Sequence, residues 1–221
     1  MNSISIENIR KILNILEEKY NEWNAPVVSY IKSSKGSPYK ILISTILSLR
    51  TKDNITKEAV ERLFSKVNTP EDMLNLNYNE IEKIIYPVGF YKTKAKRILE
   101  ISKILVDKYN SIVPSELDEL LKLPGVGRKT ANLVITLAYD KPGICVDVHV
   151  HRISNRWGYI KTKNPYETEM VLRKVLPIDL WIKYNNILVA FGQTICKPIS
   201  PLCTKCPIFE FCPKINVKRY R

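Results

Sequence analysis

The sequence predicts an all-α protein, and two observations support this fold class. Apolar residues recur at helical spacing in successive segments, as in the run Ala131, Val134, Ile135 and Ala138. No segment alternates convincingly between apolar and polar residues with the period of two that a half-buried strand would show. An apolar content of 45% in 221 residues is enough to form the core of one large domain or two small ones.

The charge of the chain indicates an anionic partner. Thirty-five Lys and Arg residues against 22 Asp and Glu leave a formal net charge of +13. Such an excess suits nucleic acid, although an anionic membrane surface would also fit. No stretch resembles a signal peptide or is apolar over the length of a bilayer, so we expect a soluble cytoplasmic protein with no membrane association.

The first 110 residues contain a succession of predicted helices. Ile6, Ile9, Leu13 and Leu16 mark an amphipathic N-terminal helix. Ser37 and Pro38 supply an N-cap and a first-turn proline for a central apolar helix. That helix runs to a basic patch, Arg50-Thr51-Lys52-Asp53. Further helices are expected around residues 59–67, from Thr69, from Asn79, and over a long stretch from Ala95 to Tyr109.

Aromatic and basic residues meet at the start of this long helix. The stretch Tyr86-Pro87-Val88-Gly89-Phe90-Tyr91 interrupts the helical pattern and is followed at once by Lys92, Lys94, Lys96 and Arg97. Aromatic residues beside basic ones on a loop suit base stacking combined with neutralisation of phosphates. Core aromatics next to a solvated charged helix would give the same pattern, so these residues alone leave both interpretations open.

The stretch Leu123 to Ala131, Leu-Pro-Gly-Val-Gly-Arg-Lys-Thr-Ala, combines a helix end, a glycine turn and a helix start. Upstream, Ser115 is a candidate N-cap for a helix that Pro124 and Gly125 end. The two glycines let the backbone approach a ligand, and the N–H groups that open the next helix suit a phosphate. The run resembles the helix-hairpin-helix element, which grips one DNA backbone phosphate. This resemblance assigns DNA binding to Gly125, Val126, Gly127 and Arg128, whereas the alternative is a plain tight turn between core helices.

Lys129 is the candidate catalytic residue, and Asp147 is its candidate partner. The helix from Arg128 is apolar nearly all round, so it should be buried and present this lysine at its exposed end. A helix of about 11 residues spans roughly 16 Å, and the residues from Tyr139 to Asp147 can extend over about 30 Å. The chain can therefore return Asp147 to the neighbourhood of Lys129, where Asp147 would also cap the next helix. Two more helices are expected around residues 167–176 and 180–191.

Four cysteines near the C-terminus form a candidate metal site. Cys196, Cys203, Cys206 and Cys212 are separated by six, two and five residues, with prolines interleaved. Four thiolates form a closed ligand set that suits either a [4Fe-4S] cluster or Zn²⁺. A structural zinc site more often has two Cys-x-x-Cys pairs, and only one is present here. Cys145 lies outside this spacing and is interpreted as a small buried hydrophobic residue.

Taken in order, the hairpin, Lys129, the segment Val146-Asp147-Val148-His149 and the cysteine spacing closely resemble the endonuclease III family of the helix-hairpin-helix DNA glycosylase superfamily. The resemblance extends from about Ser37 to Cys212. It implies a six-helix domain over residues 31–141 that carries the hairpin. A second, discontinuous helical domain comprises residues 1–30 and 142–221, with a [4Fe-4S] cluster loop at 196–212, and DNA lies between the two domains.

The same resemblance implies a function for the chain. The family excises oxidised pyrimidines from double-stranded DNA by base flipping and then cuts 3′ of the abasic site by β-elimination through a lysine Schiff base. Its catalytic lysine and aspartate fall on Lys129 and Asp147. The residues that enter the space left by the flipped nucleotide fall on Arg50 and Phe90, where the bacterial pattern has glutamine and leucine. The resemblance also implies a monomer associated with the nucleoid.

Two other functions fit parts of the pattern. A monofunctional mismatch glycosylase of the same superfamily would activate water with the aspartate and lack the lysine, so the presence of Lys129 argues against it. A non-enzymatic iron-sulfur DNA-binding regulator would bind DNA without cleaving it and would not need Asp147. In that case Lys129 would only contact phosphate, and Asp147 would only cap its helix.

Overall fold

The computed structural model of the protein describes Ile4 and residues 6–23 and 36–221. All regular secondary structure in these residues is helical, which confirms the predicted fold class. The described α-helices are α1 (Ile6–Glu18), α2 (Pro38–Ser48), α3 (Asp53–Phe64), α4 (Pro70–Leu74), α5 (Tyr78–Ile85), α6 (Tyr91–Tyr109), α7 (Leu117–Leu120), α8 (Arg128–Ala138), α9 (Val148–Arg156), α10 (Pro165–Val175) and α11 (Trp181–Thr194). Short 3₁₀ helices lie at Tyr20–Glu22, Ile178–Leu180, Cys203–Lys205 and Phe209–Phe211.

The chain divides into two compact units. The first consists of Met1–Val28 with Pro142–Arg221, and the second of Ser29–Lys141. Each unit has its own hydrophobic core. The domain boundary expected between residues 30 and 31 lies outside the described residues, and the later junction falls between Lys141 and Pro142.

Helix α2 lies at the centre of the unit Ser29–Lys141. Its start follows the predicted pattern, since the Ser37 side chain accepts a hydrogen bond from the Lys40 N–H and Pro38 occupies the first turn. Residues 41–47 are all buried, and the helix packs on α3, α6 and α8. The helix ends at Ser48, two residues before the expected Arg50, because the backbone of Leu49 leaves the helical conformation (ψ 120°). Arg50 follows in a left-handed conformation (φ 53°). The end of a buried helix thus fixes the place of Arg50.

The helix before the glycine turn is shorter than expected. Helix α7 comprises only Leu117–Leu120, and its N-cap is Glu116 rather than the predicted Ser115. The Ser115 hydroxyl instead hydrogen-bonds the side chains of Glu116 and Lys141, so it does not cap the helix.

The unit Met1–Val28 with Pro142–Arg221 is built around α9 and α11, with α1 packed on α11. Its largest fully buried side chains include Trp157, Tyr184 and Phe191. Cys145, which is 3% exposed, belongs to the buried segment that precedes α9, as predicted. Among the residues that the structure describes, no helix combines the length and the apolar character needed to cross a membrane.

Candidate functional site

A cavity of about 510 Å³ in the unit Ser29–Lys141 brings together three of the predicted site residues, Arg50, Phe90 and Lys129. Its walls are formed by Ile46, Leu49, Arg50, Phe90, Thr93, Lys94, Arg97 and Lys129. Residues from the end of α2, the start of α6 and the start of α8 therefore meet at one opening. Ligand pockets typically enclose about 300–1,000 Å³, so a nucleoside-sized group fits this space.

Lys129 owes its place at the cavity to the burial of its helix. Residues 130–136 of α8 are all buried, whereas Lys129 is exposed at the second position of the helix. The i→i−4 hydrogen bonds of α8 begin with the N–H of Ala131, which donates to the Gly127 carbonyl at 2.9 Å. A helix anchored along most of its length thus presents one amine at its N-terminal end, where the helix dipole favours anions.

The glycine turn before α8 combines one tightly packed glycine with one open glycine. Gly125 has a φ of +76°, which favours glycine, and a Cβ there would lie 2.6 Å from Cδ of Arg97. Gly127 is exposed, and apart from the adjoining chain no atom of the described residues lies within 4 Å of where its Cβ would be. Val126 plays a different part: its side chain is buried in the core and its N–H donates to the Leu123 carbonyl. Val126 therefore anchors the turn, and the open side of the hairpin is at Gly127.

Arg50 and Phe90 lie next to each other on the cavity rim. Both are exposed, Phe90 to 62%, and the Arg50 guanidinium lies 5.6 Å from the centre of the Phe90 ring. Both have left-handed backbone conformations, with φ of 53° and 58°. A non-glycine residue in this region costs of order 1 kcal/mol and is often found at functional sites.

Lys94 is the residue of this site that the sequence analysis missed. The expectation of either a phosphate-contacting or a solvated lysine is wrong, because Lys94 is only 4% exposed. Its Nζ donates to the carbonyls of Leu47 (2.8 Å) and Leu49 (2.6 Å) and to the Thr51 hydroxyl (3.0 Å). Burial lowers the pKa of Lys94 to about 8.

A signal for this burial is present in the sequence. Lys94 precedes Ile98 by four positions and lies on the helix face that continues through Ile101 and Leu105, all of which are buried. A lysine on the apolar face of a helix is therefore the pattern that could have identified it.

Asp147 belongs to the other unit, where it is the N-cap of α9, as predicted. Its Oδ1 accepts hydrogen bonds from the N–H groups of His149 (2.8 Å) and Val150 (2.9 Å). The side chain is half-buried. A capping carboxylate can hold a second role, so the cap is compatible with a part for Asp147 in catalysis.

The four cysteines Cys196, Cys203, Cys206 and Cys212 line a small cavity of about 20 Å³ in the same unit as Asp147. Arg156 also lines it, and its Nη1 lies 3.5 Å from Sγ of Cys196. Burial raises the pKa of the Cys206 thiol to about 12, and it also raises the pKa values of Cys203 and Cys212. Within the described ranges, no three His, Cys, Asp or Glu side chains are close enough together to hold a single metal ion.

A match to a protein-family model defines the class to which this protein belongs. Residues 43–177, more than half of the chain, match the family model described as "HhH-GPD superfamily base excision DNA repair protein". The matched region includes the cavity with Lys129, the glycine hairpin and the Asp147 cap.

Individual relatives define the family. Endonuclease III of Thermotoga maritima is 50% identical over 175 residues, which cover 79% of this chain and 82% of that protein. The structure of a trapped endonuclease III–DNA covalent intermediate matches with a TM-score of 0.82 at 35% identity, covering 95% of this chain and 96% of that chain. A thermostable thymine-DNA glycosylase also matches with a TM-score of 0.82, at 27% identity and with coverage of 93% of this chain and 95% of that chain. The chain belongs to the endonuclease III family of the HhH-GPD superfamily.

Membership of this family confirms the family predicted from the sequence. It also supports the predicted enzyme class, DNA glycosylase and AP lyase. The protein is accordingly a base excision repair glycosylase.

The lowered pKa of Lys94 predicts a specific pH dependence of stability. Between pH 8 and 10.5 the unfolded chain binds a proton at this lysine that the folded chain has lost, so Lys94 makes folding more favourable as the pH rises. In Lys94→Met this contribution is absent. The free energy of unfolding of the variant, relative to wild type, should therefore fall by about 3 kcal/mol from pH 7.5 to 10.5.

Urea unfolding followed by circular dichroism at both pH values measures this difference. Lys103→Met is the control, because Lys103 is an exposed lysine on the same helix. A Lys94→Met difference that is as flat with pH as that of Lys103→Met would contradict the prediction.

Proposed function

We propose that this protein is a bifunctional DNA glycosylase and AP lyase that removes oxidised pyrimidines from double-stranded DNA and cuts the strand 3′ of the abasic site. The observation that carries the proposal is the exposed Lys129 at the mouth of a nucleoside-sized cavity, beside Arg50 and Phe90. The similarity to a trapped endonuclease III–DNA covalent intermediate supports covalent chemistry of the same kind here. The protein acts as a monomer on nucleoid DNA.

DNA binding begins at the glycine hairpin and is independent of sequence. One backbone phosphate approaches Gly127, whose outer side is open, and meets the N-terminal end of α8. The exposed Gly125 and the side chain of Arg128 contribute to the same phosphate site. The net charge of +13 favours association with the duplex and makes binding weaker at high salt.

The damaged nucleotide leaves the base stack before any bond is broken. Extrusion costs a few kcal/mol and is least costly for damaged bases, which helps to select them. Phe90 and Arg50 enter the space that the nucleotide leaves. The Phe90 ring replaces lost stacking, and the Arg50 guanidinium donates hydrogen bonds to the base left without a partner.

Lys129 then acts as the nucleophile. Its neutral amine forms a bond to C1′ of the deoxyribose while the bond from C1′ to the base breaks and the base departs with the electron pair. Asp147, as a carboxylate, takes up the proton lost by the amine and stabilises positive charge on the sugar. The nitrogen lone pair then opens the sugar ring: the C1′–O4′ bond breaks, O4′ takes up a proton, and a Schiff base forms between Lys129 and C1′. This Schiff base acidifies the C2′ proton, and loss of that proton expels the 3′ phosphate from C3′ by β-elimination.

The alternative is a monofunctional glycosylase that uses water. The fold does not distinguish the two functions, because a thymine-DNA glycosylase matches this chain as well as an endonuclease III does. The position of Lys129 in the cavity with Arg50 and Phe90 favours the lysine mechanism.

We also propose that the four C-terminal cysteines hold a [4Fe-4S] cluster. The four thiols line one cavity, as the corner ligands of a cluster would, and Arg156 places a positive charge beside Cys196. The positive charge of the iron would hold the buried thiols as thiolates. The residues around the cluster contain little regular structure, so its role is to fold this loop; the glycosidic chemistry requires no electron transfer.

Borohydride trapping tests the lysine mechanism. Incubation of the wild-type protein with a duplex containing thymine glycol or an abasic site, in the presence of borohydride, should give a covalent protein–DNA adduct on a denaturing gel. Lys129→Ala should lose the adduct by at least about a thousandfold, because no other group carries the nucleophilic role. Lys122→Ala, which removes an exposed lysine paired with Glu119, is the matched control and should retain trapping.

The outcomes separate the candidate functions. Base release without an adduct would show that water is the nucleophile. Binding with neither base release nor strand cleavage would show a non-enzymatic regulator.

Substitution of Gly127 tests the phosphate site. The backbone of Gly127 is extended (φ −90°) and its surroundings are open, so Gly127→Ala should cost at most about 1 kcal/mol of stability. The added methyl group would stand where the phosphate approaches and should weaken binding of a duplex with an uncleavable abasic analogue by about tenfold. Fluorescence anisotropy measures the affinity, with thermal unfolding as the control. Unchanged affinity would show that the hairpin does not contact DNA in this way.

Metal analysis tests the cluster. The purified protein should contain iron and acid-labile sulfide in equal amounts and absorb visible light, and Cys203→Ser should lose both. Cys145→Ala is the matched control and should keep them, because Cys145 is buried outside the cysteine cavity. Zinc in place of iron and sulfide would contradict the cluster.

A further inference from the structure

Arg50 and Phe90 are carried by separate chain segments, and the structure shows one residue that joins both. Arg50 follows the end of α2, and Phe90 precedes the start of α6. Lys94, on the first turn of α6, donates its backbone N–H to the Phe90 carbonyl at 3.0 Å. Its side chain donates to the carbonyl of Leu49 and to the hydroxyl of Thr51, the residues on either side of Arg50. Lys94 is therefore hydrogen-bonded both to Phe90 and to the two neighbours of Arg50.

A second contact reinforces the same junction. The Thr51 hydroxyl, which accepts from Lys94, also accepts a hydrogen bond from the Gly89 N–H at 3.1 Å. The backbones of the two segments touch here, since a Cβ on Gly89 would lie only 2.4 Å from the Arg50 carbonyl oxygen. The close backbone contact and the hydrogen bonds together fix the position of one segment relative to the other.

We propose that Lys94 is a positioning residue whose side chain sets the separation of Arg50 and Phe90, and thereby allows the pair to enter the duplex and hold the nucleotide outside the stack. The proposal rests on the proposed function, because it takes Arg50 and Phe90 as the residues that enter the DNA. It adds a residue that acts through them, because its amine is bound to acceptors of the protein.

The chemistry of the side chain explains why a lysine stands here. An ammonium group has three donors, and Lys94 has three acceptors, namely the carbonyls of Leu47 and Leu49 and the Thr51 hydroxyl. The carbonyls belong to the C-terminal end of α2, where a positive charge is favourable. Because its nitrogen donates to three acceptors at the cavity wall, Lys94 is suited to a structural role. The role of nucleophile is left to Lys129.

The test compares Lys94→Met with Lys103→Met, the same substitution at an exposed position of the same helix. Extrusion is followed by the fluorescence of 2-aminopurine placed opposite an abasic analogue, and turnover by single-turnover cleavage of a thymine glycol duplex at pH 7. Lys94→Met should reduce both the fluorescence change and the cleavage rate by about tenfold or more, because misplacement by an ångström can cost that much. Affinity for the duplex should change less than threefold, because the hairpin contacts are intact.

A double-mutant cycle with Phe90→Ala separates positioning from general loss of structure. If Lys94 acts through Phe90, then adding Lys94→Met to Phe90→Ala should lower the cleavage rate by less than about threefold. Full additivity of the two losses, or a Lys94→Met rate within about twofold of wild type, would overturn the proposal.

A second variant is available if circular dichroism shows that Lys94→Met does not fold. Thr51→Val removes the hydroxyl group that accepts from both Lys94 and Gly89. Thr51→Val should lower extrusion and cleavage by about threefold or more, and wild-type values would overturn the proposal. Absence of cleavage by wild type and by Lys103→Met would instead disprove the proposed function, so the two failures are distinct.

Discussion

The burial of helix α8 is the constraint on which the candidate site depends. Seven consecutive residues of this helix, 130–136, are excluded from solvent, so the helix cannot rotate or shift without disrupting the core of its unit. Its N-terminal end is therefore a fixed point. The hairpin anchored by Val126 and the amine of Lys129 are held by the same helix, so the hydrophobic core determines where the candidate nucleophile lies.

The rim of the cavity is held by a different kind of interaction. Helices α2 and α6 pack on each other in the core of their unit. Apolar contacts have no preferred direction, so they do not define the exact positions of the segments at the helix ends. That precision comes from the polar contacts of Lys94, Thr51 and Gly89, which are directional. In the other unit the cysteine loop uses both kinds of contact, since Ile208 is buried in the core and the four cysteines converge on a shared cavity.

Much of this arrangement could be predicted from the sequence. The helical fold, the Ser37 and Asp147 caps and the buried Cys145 follow from local patterns, and the family follows from motifs that combine glycines, a lysine and cysteines at fixed spacing. The properties that were missed depend on contacts that are distant in sequence. Lys94 meets its acceptors more than 40 residues away, and a charge pattern alone assigned it to the surface. Ser115 has a good capping side chain, yet Lys141 and Glu116 compete for it.

The left-handed backbone at Arg50 and Phe90 has a consequence for engineering. Glycine at either position would relieve conformational strain, so a selection for heat resistance alone would tend to accept it. Such a protein would be sturdier and would have lost the guanidinium or the aromatic ring at the cavity rim. If Arg50 and Phe90 enter the DNA as proposed, stability and activity are opposed at these two residues, and stabilising substitutions belong elsewhere in the chain.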